Sequence, residues 1–184
     1  MLGVVVLSGL ALLVLFLFRF VPLDSTQQAA GLSASSASGP SRLRIPSISV
    51  DASVEHLGLT EDGAMDDPEN PDTVAWYNLG PRPGESGSAV IAGHYGWKEN
   101  IPAVFDDLHK LKAGDKIYVE NEDGVSITFV VLETQIYDKD ADASKVFWSD
   151  DGKSYLNLVT CTGVWNQDEE TRSHRLIVFA ERVE

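Results

Sequence analysis

A single cysteine, Cys161, is all the thiol chemistry that 184 residues carry. No intramolecular disulfide can form, so the chain relies on an ordinary core, and the thiol is either a small buried hydrophobe or a reactive group. Cations are scarce too: 14 Lys and Arg stand against 28 Asp and Glu, for a formal net charge of −14. That balance argues against nucleic acid as a partner, because neutralising phosphates needs clustered cations. The acidic residues are spread through loops, where they serve solubility. Metal and phosphate motifs are also missing. Asp138, Asp140 and Asp142 have the opening spacing of a calcium loop, but Ala143 stands in place of its Gly and Ser149 in place of its bidentate Glu. One Cys with scattered His makes no zinc pattern. No glycine-rich phosphate loop, no Gly-x-Ser-x-Gly elbow and no internal repeat is present. No cofactor is therefore expected, and weak calcium binding by the acidic loops stays open.

What is present falls into three stretches. Met1 to Phe18 carries no charged side chain and closes with Arg19 and Phe20-Val21-Pro22. About 20 such residues cross the hydrocarbon layer of a bilayer. With no polar face over that length and no small-x-small cleavage site directly after it, residues 1–23 read as a transmembrane signal-anchor helix rather than a buried helix or a cleaved signal. No Lys or Arg precedes the run, so charge alone does not orient it. Residues 24–41, rich in Ser, Ala, Gln and Gly, read as a flexible linker. Residues 42–184 alternate short apolar runs with marked turns such as Glu61-Asp62-Gly63, Ala113-Gly114-Asp115 and Glu122-Asp123-Gly124. Eight runs read as strands: Leu43 to Val50 with a break at Pro46, Ser53 to Leu57, Thr73 to Tyr77, Ser88 to His94, Lys116 to Glu120, Val125 to Tyr137, Tyr155 to Cys161 and Arg175 to Arg182. Eight strands of this length suit a closed barrel, which removes unpaired edges. The spacing of Val104, Leu108 and Leu111 predicts one helix over Ile101–Leu111.

Cys161 ends the run Tyr155-Leu156-Asn157-Leu158-Val159-Thr160-Cys161, with Thr162-Gly163 as the break after it. Alternation puts Cys161, Val159 and Asn157 on one face and Leu156, Leu158 and Thr160 on the other. Such a strand makes a floor for a groove. A nucleophilic thiol needs a base or a positive neighbour. His94 ends an apolar run and enters a Gly-flanked turn, where an imidazole meets a ligand or simply faces solvent. His56 lies inside a short strand and reads as structural, His109 follows the predicted helix, and His174 points to the face opposite Arg175. Arg175 opens the apolar strand Leu176-Ile177-Val178-Phe179-Ala180, whereas Arg172 falls in the polar loop Val164 to Ser173 and reads as a mobile surface cation. Trp97, Trp148 and Trp165 are groove candidates, with core packing as the alternative.

In order, Ala92-Gly93-His94, Leu158-Val159-Thr160-Cys161 and Arg175-Leu176-Ile177-Val178 resemble the sortases, cysteine transpeptidases of the bacterial cell surface. Supporting blocks are Leu43-Arg44-Ile45-Pro46, Trp76-Tyr77, Pro83-Gly84-Glu85-Ser86-Gly87 and Leu111-Lys112-Ala113-Gly114-Asp115. The resemblance runs from about Leu43 to Val183; Asn157 stands where the best-known members have Thr. It implies a mainly β fold, an eight-stranded closed sortase-type barrel with one or two short helices, behind an N-terminal transmembrane helix. It implies Cys161 as nucleophile, His94 as general acid/base, Arg175 as oxyanion or substrate holder, and Thr160 bordering the substrate groove. The implied substrate is a C-terminal sorting-signal peptide of a secreted protein, Leu-Pro-x-Thr-Gly or similar, cut at Thr–Gly through a thioacyl enzyme. The implied acceptor is an amine from a peptidoglycan precursor or from a pilin-like surface protein. The implied location is the bacterial cell membrane, single-pass, with the catalytic domain outside. Two alternatives stand beside this reading: a cysteine peptidase or hydrolase on the same scaffold, and a catalytically silent surface-binding β domain.

Overall fold

The computed structural model describes residues 38–183. Eight strands close into a barrel: β1 (Pro40–Ile45), β2 (Val50–Leu57), β3 (Val74–Tyr77), β4 (Gly87–Gly93), β5 (Lys116–Asn121), β6 (Ser126–Asp138), β7 (Ser154–Asn166) and β8 (Thr171–Arg182). Around the barrel the order is β1-β2-β3-β4-β7-β8-β6-β5. The β2–β3 and β4–β7 pairs are parallel and the other neighbours antiparallel. Each predicted apolar run supplies a strand, and one short helix, α1 (Ser144–Phe147), lies between β6 and β7. The expected membrane span and all but the last residues of the expected linker lie outside the described residues. Among the described residues no helix is long and apolar enough to cross a membrane. Pro40 and Ser41, assigned to the linker by composition, pair in β1.

Period-2 alternation builds the core. Leu156, Leu158 and Thr160 of β7 face the barrel interior beside Leu176, Val178 and Ala180 of β8, all buried. Strand β4 is buried along its whole length because both its faces are covered. Ile91 joins the interior, while Val90 on the outer face packs with Val146 of α1 and Ile177 of β8.

Two sequence expectations need correction. Ile101–Leu111 is not a helix: it forms turns that end in a 3-10 turn, Leu108–Lys110. Two of its backbone donors go outside the segment, Val104 N–H to the Pro71 carbonyl at 2.7 Å and Phe105 N–H to the His94 carbonyl at 3.1 Å, and those within it reach back three residues rather than four. The apolar spacing serves burial instead, since Phe105, Leu108 and Leu111 join the barrel core. Nor is Val164–Ser173 a loop: β7 runs on to Asn166 and β8 begins at Thr171. Gly163 is the kink that lets it do so. The register shifts between Thr162 and Trp165, φ at Gly163 is +80°, and a Cβ there would lie 2.5 Å from Ser173 Oγ.

Candidate active site

Strand register assembles the site. On the outer barrel face, Ala92 of β4 pairs with Val159 of β7, which pairs with Ile177 of β8. Two residues further on, the next row on that face is His94, Cys161 and Arg175, with Cys161 and Arg175 directly paired and Tyr137 of β6 opposite Arg175. Neighbouring strands lie about 4.8 Å apart, so the paired Cys161 and Arg175 stand side by side, and His94 comes off the end of β4 next to them in strand order around the barrel. All three line one groove of about 1130 Å³. Its floor is Ala92, Val159 and Ile177; one wall is α1 with Val146 and Phe147, and another includes Met65 and Asp67 from the segment between β2 and β3.

The His94 ring is fixed on two sides. Nε2 lies 2.7 Å from the Pro68 carbonyl, and since a carbonyl only accepts, Nε2 carries the hydrogen. Nδ1 is then the nitrogen left to exchange a proton. The ring also meets Trp97 edge-on, with centroids 4.5 Å apart. Cys161 is half-buried. Burial pushes its thiol above the ordinary range, Arg175 opposes that rise, Asp67 adds to it, and Arg172 opposes it. The resting sulfur is thus a thiol that needs a proton acceptor to attack. Arg175 is held by its own strand: Nη1 donates to the carbonyls of Arg172 at 2.9 Å and His174 at 3.1 Å, and Nη2 to Thr171 Oγ1 at 3.1 Å.

Of the residues singled out from sequence, His94, Cys161 and Arg175 are brought together and Thr160 is not. Thr160 is turned into the barrel with its Oγ1 donating to the Gly93 carbonyl at 2.7 Å, so it does not border the groove. This follows from alternation, which puts it on the face opposite Cys161. Trp97 and Trp165 line the groove, whereas Trp148 is 73% exposed and does not. His56 donates from Nε2 to the Pro40 carbonyl and packs edge-on to Trp76, a structural role. Arg172, read as mobile, sits on β8 with its guanidinium 4.7 Å from the Tyr95 ring centre. Sequence reading also passed over α1 as a wall, although Val146-Phe147 is the only apolar pair between Asp138 and Ser154 apart from Trp148. Asn157 ties that wall down, its Nδ2 donating to the Val146 carbonyl at 2.6 Å. Among the described residues no group of His, Cys, Asp and Glu is arranged to hold a metal ion.

Fold and groove together define a closed β-barrel protein with a thiol, an imidazole and a guanidinium ranged along one wall. Residues 43–183 match the family described as the sortase domain. The chain belongs to that family, and a general cysteine-transpeptidase function acting on sorting signals follows from the membership. Sortase C-1 from Actinomyces oris is 28% identical, with 78% of this chain and 73% of that one covered and a TM-score of 0.61. Pilus island 1 sortase C2 of Group B Streptococcus is 29% identical over 78% of this chain and 73% of its own, with a TM-score of 0.59. A lid mutant of sortase A from Corynebacterium diphtheriae is 25% identical over 78% and 69%, with a TM-score of 0.61. No curated protein is matched by the chain.

Proposed function

We propose that the protein cleaves a C-terminal sorting signal of the Leu-Pro-x-Thr-Gly type between Thr and Gly and passes the acyl group to an amine. Cys161 Sγ attacks the Thr carbonyl carbon while its proton moves to His94 Nδ1. Arg175, opposite Cys161 in the β7–β8 register, stabilises the oxyanion. The C–N bond breaks as His94 returns the proton to the departing Gly amine, leaving a thioester. An incoming amine then attacks the thioester, gives its proton to His94, and the sulfur leaves and recovers that proton. The observation that carries this reading is Cys161 and Arg175 paired across β7 and β8, with His94 directly after β4, all three lining one groove.

The groove supports an extended peptide as substrate, since a five-residue strand spans roughly 17 Å and the apolar floor offers a seat for Leu and Pro. The acceptor is an amine of a peptidoglycan precursor or of a pilin-like protein, the latter in keeping with the pilus sortase among the similar structures. The enzyme works outside a bacterial cell, held by residues 1–23 as a single-pass anchor, with the segment between that anchor and β1 as tether.

Intact-mass analysis of the protein with a panel of sorting-type peptides tests the proposal. A mass increase on Cys161 equal to the acyl portion, released by hydroxylamine or triglycine as the matching adduct, is expected. Acyl enzyme that only water resolves would make the protein a hydrolase. No adduct on Cys161 with any peptide would leave a silent binding domain and end the enzymatic reading.

A further inference from the structure

Arg172 touches the segments that carry all three members of the row. Its guanidinium carbon lies 4.7 Å from the centre of the ring of Tyr95, the residue after His94. Its Nη1 donates at 2.9 Å to the carbonyl of Gly163, two residues after Cys161. Its own carbonyl accepts from Arg175 Nη1 at 2.9 Å. The Tyr95 platform is itself pinned, because Gly96 N–H donates to Asp106 Oδ1 at 2.7 Å and the His94 carbonyl accepts from Phe105 N–H. No carboxylate forms an ion pair with Arg172 among the described residues.

We propose that Arg172 is a positioning residue for the transfer reaction: seated on Tyr95 and bonded to Gly163, it clamps the β7–β8 hairpin to the turn after His94 and sets the reach of Arg175 through its carbonyl. The proposal rests on the reaction assigned above, but the geometry it invokes is independent of which peptide is used. A face of Tyr beneath a guanidinium and one charge-assisted hydrogen bond are modest contacts singly. Together they span the joint between a nucleophile and its proton acceptor, where small displacements are costly to rate.

The test is a double-mutant cycle in the full chain with Arg172→Ala, Tyr95→Leu and the double variant, alongside Arg172→Lys and Tyr95→Phe. Each single truncation is expected to lower kcat on the order of tenfold with KM changed by less than about twofold, and the double variant to lose no more than the worse single one. Tyr95→Phe, which keeps the ring face, recovers most of what Tyr95→Leu loses, and Arg172→Lys falls between native and Ala. The same pattern is read in the rate of Cys161 alkylation by iodoacetamide at fixed pH, which needs no peptide. Effects that multiply in the double variant, a loss carried by KM, or a Tyr95→Phe as impaired as Tyr95→Leu each overturn the clamp. If native protein forms no acyl enzyme with any peptide, the reaction assigned above fails, while the alkylation cycle still decides for or against the clamp.

Discussion

Thr160→Val separates an interior tether from a substrate contact. The substitution keeps the branched shape and removes one hydroxyl from a site only 3% exposed, where Oγ1 donates to the Gly93 carbonyl at 2.7 Å. Deleting one partner of a buried hydrogen bond costs about 2 kcal/mol, within a range of roughly 1–3. For a domain of about 140 residues, 1 kcal/mol corresponds to about 3–4 °C in Tm, so a fall of roughly 6–8 °C is expected. The bond joins the end of β7 to the end of β4, beside Cys161 and His94, so kcat also falls by a few-fold. Because the hydroxyl faces the barrel interior, KM for a sorting peptide stays put. Thermal unfolding followed by near-ultraviolet circular dichroism, with steady-state kinetics on the same preparation, reads all three quantities. An unchanged Tm with a raised KM would mean that Thr160 meets the substrate, and the interior assignment would be refuted.

Three further outcomes test other joints of the structure. Gly93→Ala places a methyl 2.6 Å from Phe105 Cδ2 and 2.9 Å from Val104 Cγ1; Phe105 is fully buried and cannot swing away, so overpacking should cost about 1–3 kcal/mol in chemical denaturation. Asn157→Ala frees α1 by removing the bond to the Val146 carbonyl, and one neutral hydrogen bond of about 1 kcal/mol predicts a KM raised about fivefold at constant kcat; a kcat effect would show that the wall does more than hold substrate. The pH profile of Cys161 alkylation tests the thiol's surroundings: because burial raises its pKa, the rate climbs with pH and reaches half its limit above the ordinary thiol value. Asp67→Asn removes an anion that adds to the rise, so the midpoint moves to lower pH; Arg175→Ala removes a cation that opposes it, so the midpoint moves higher. Midpoints that fail to move in opposite directions would contradict that arrangement.

The barrel was legible because its signals are local. Apolar alternation and short Gly- and Asp-containing turns mark the strands without reference to the rest of the chain, and Cys161 and Arg175 lie within apolar strand runs while His94 directly follows one. What failed to be legible depends on partners distant in sequence. Ile101–Leu111 has a helical spacing, yet Pro71 and His94 take its amide hydrogens from outside the segment. Thr162-Gly163 looks like the end of a strand, and only Ser173 and His174 packed against Gly163 reveal a bulge within a longer hairpin. Arg172 therefore looked like a loop cation, although its partner Tyr95 lies in the turn after His94, far from it in sequence. Thr160 is a different case. Its alternation with Cys161 already pointed inward, and the family resemblance outweighed that simpler signal.

The interior of the barrel, not the groove, sets the alignment of the site. A slip of one residue between β7 and β8 would carry Arg175 to the inner face and bring His174 to the groove. What resists such a slip is the burial of Leu176, Val178 and Ala180, the β8 side chains packed beside Leu156 and Leu158 of β7, which would all turn outward with it. Strand β4, covered on both faces, is set against β7 by packing on each side, Ile91 beside Leu158 within the barrel and Val90 with Val146 and Ile177 outside it. Exposing even two such side chains costs several kcal/mol at about 1.5–3 kcal/mol each, far more than any contact among the three groove residues supplies. The groove walls stand outside this lock: α1 is tied by Asn157, and the segment between β2 and β3 meets the site through Pro68 and His94. Substitutions in those walls can therefore change which peptide is accepted while the row of His94, Cys161 and Arg175 stays in register.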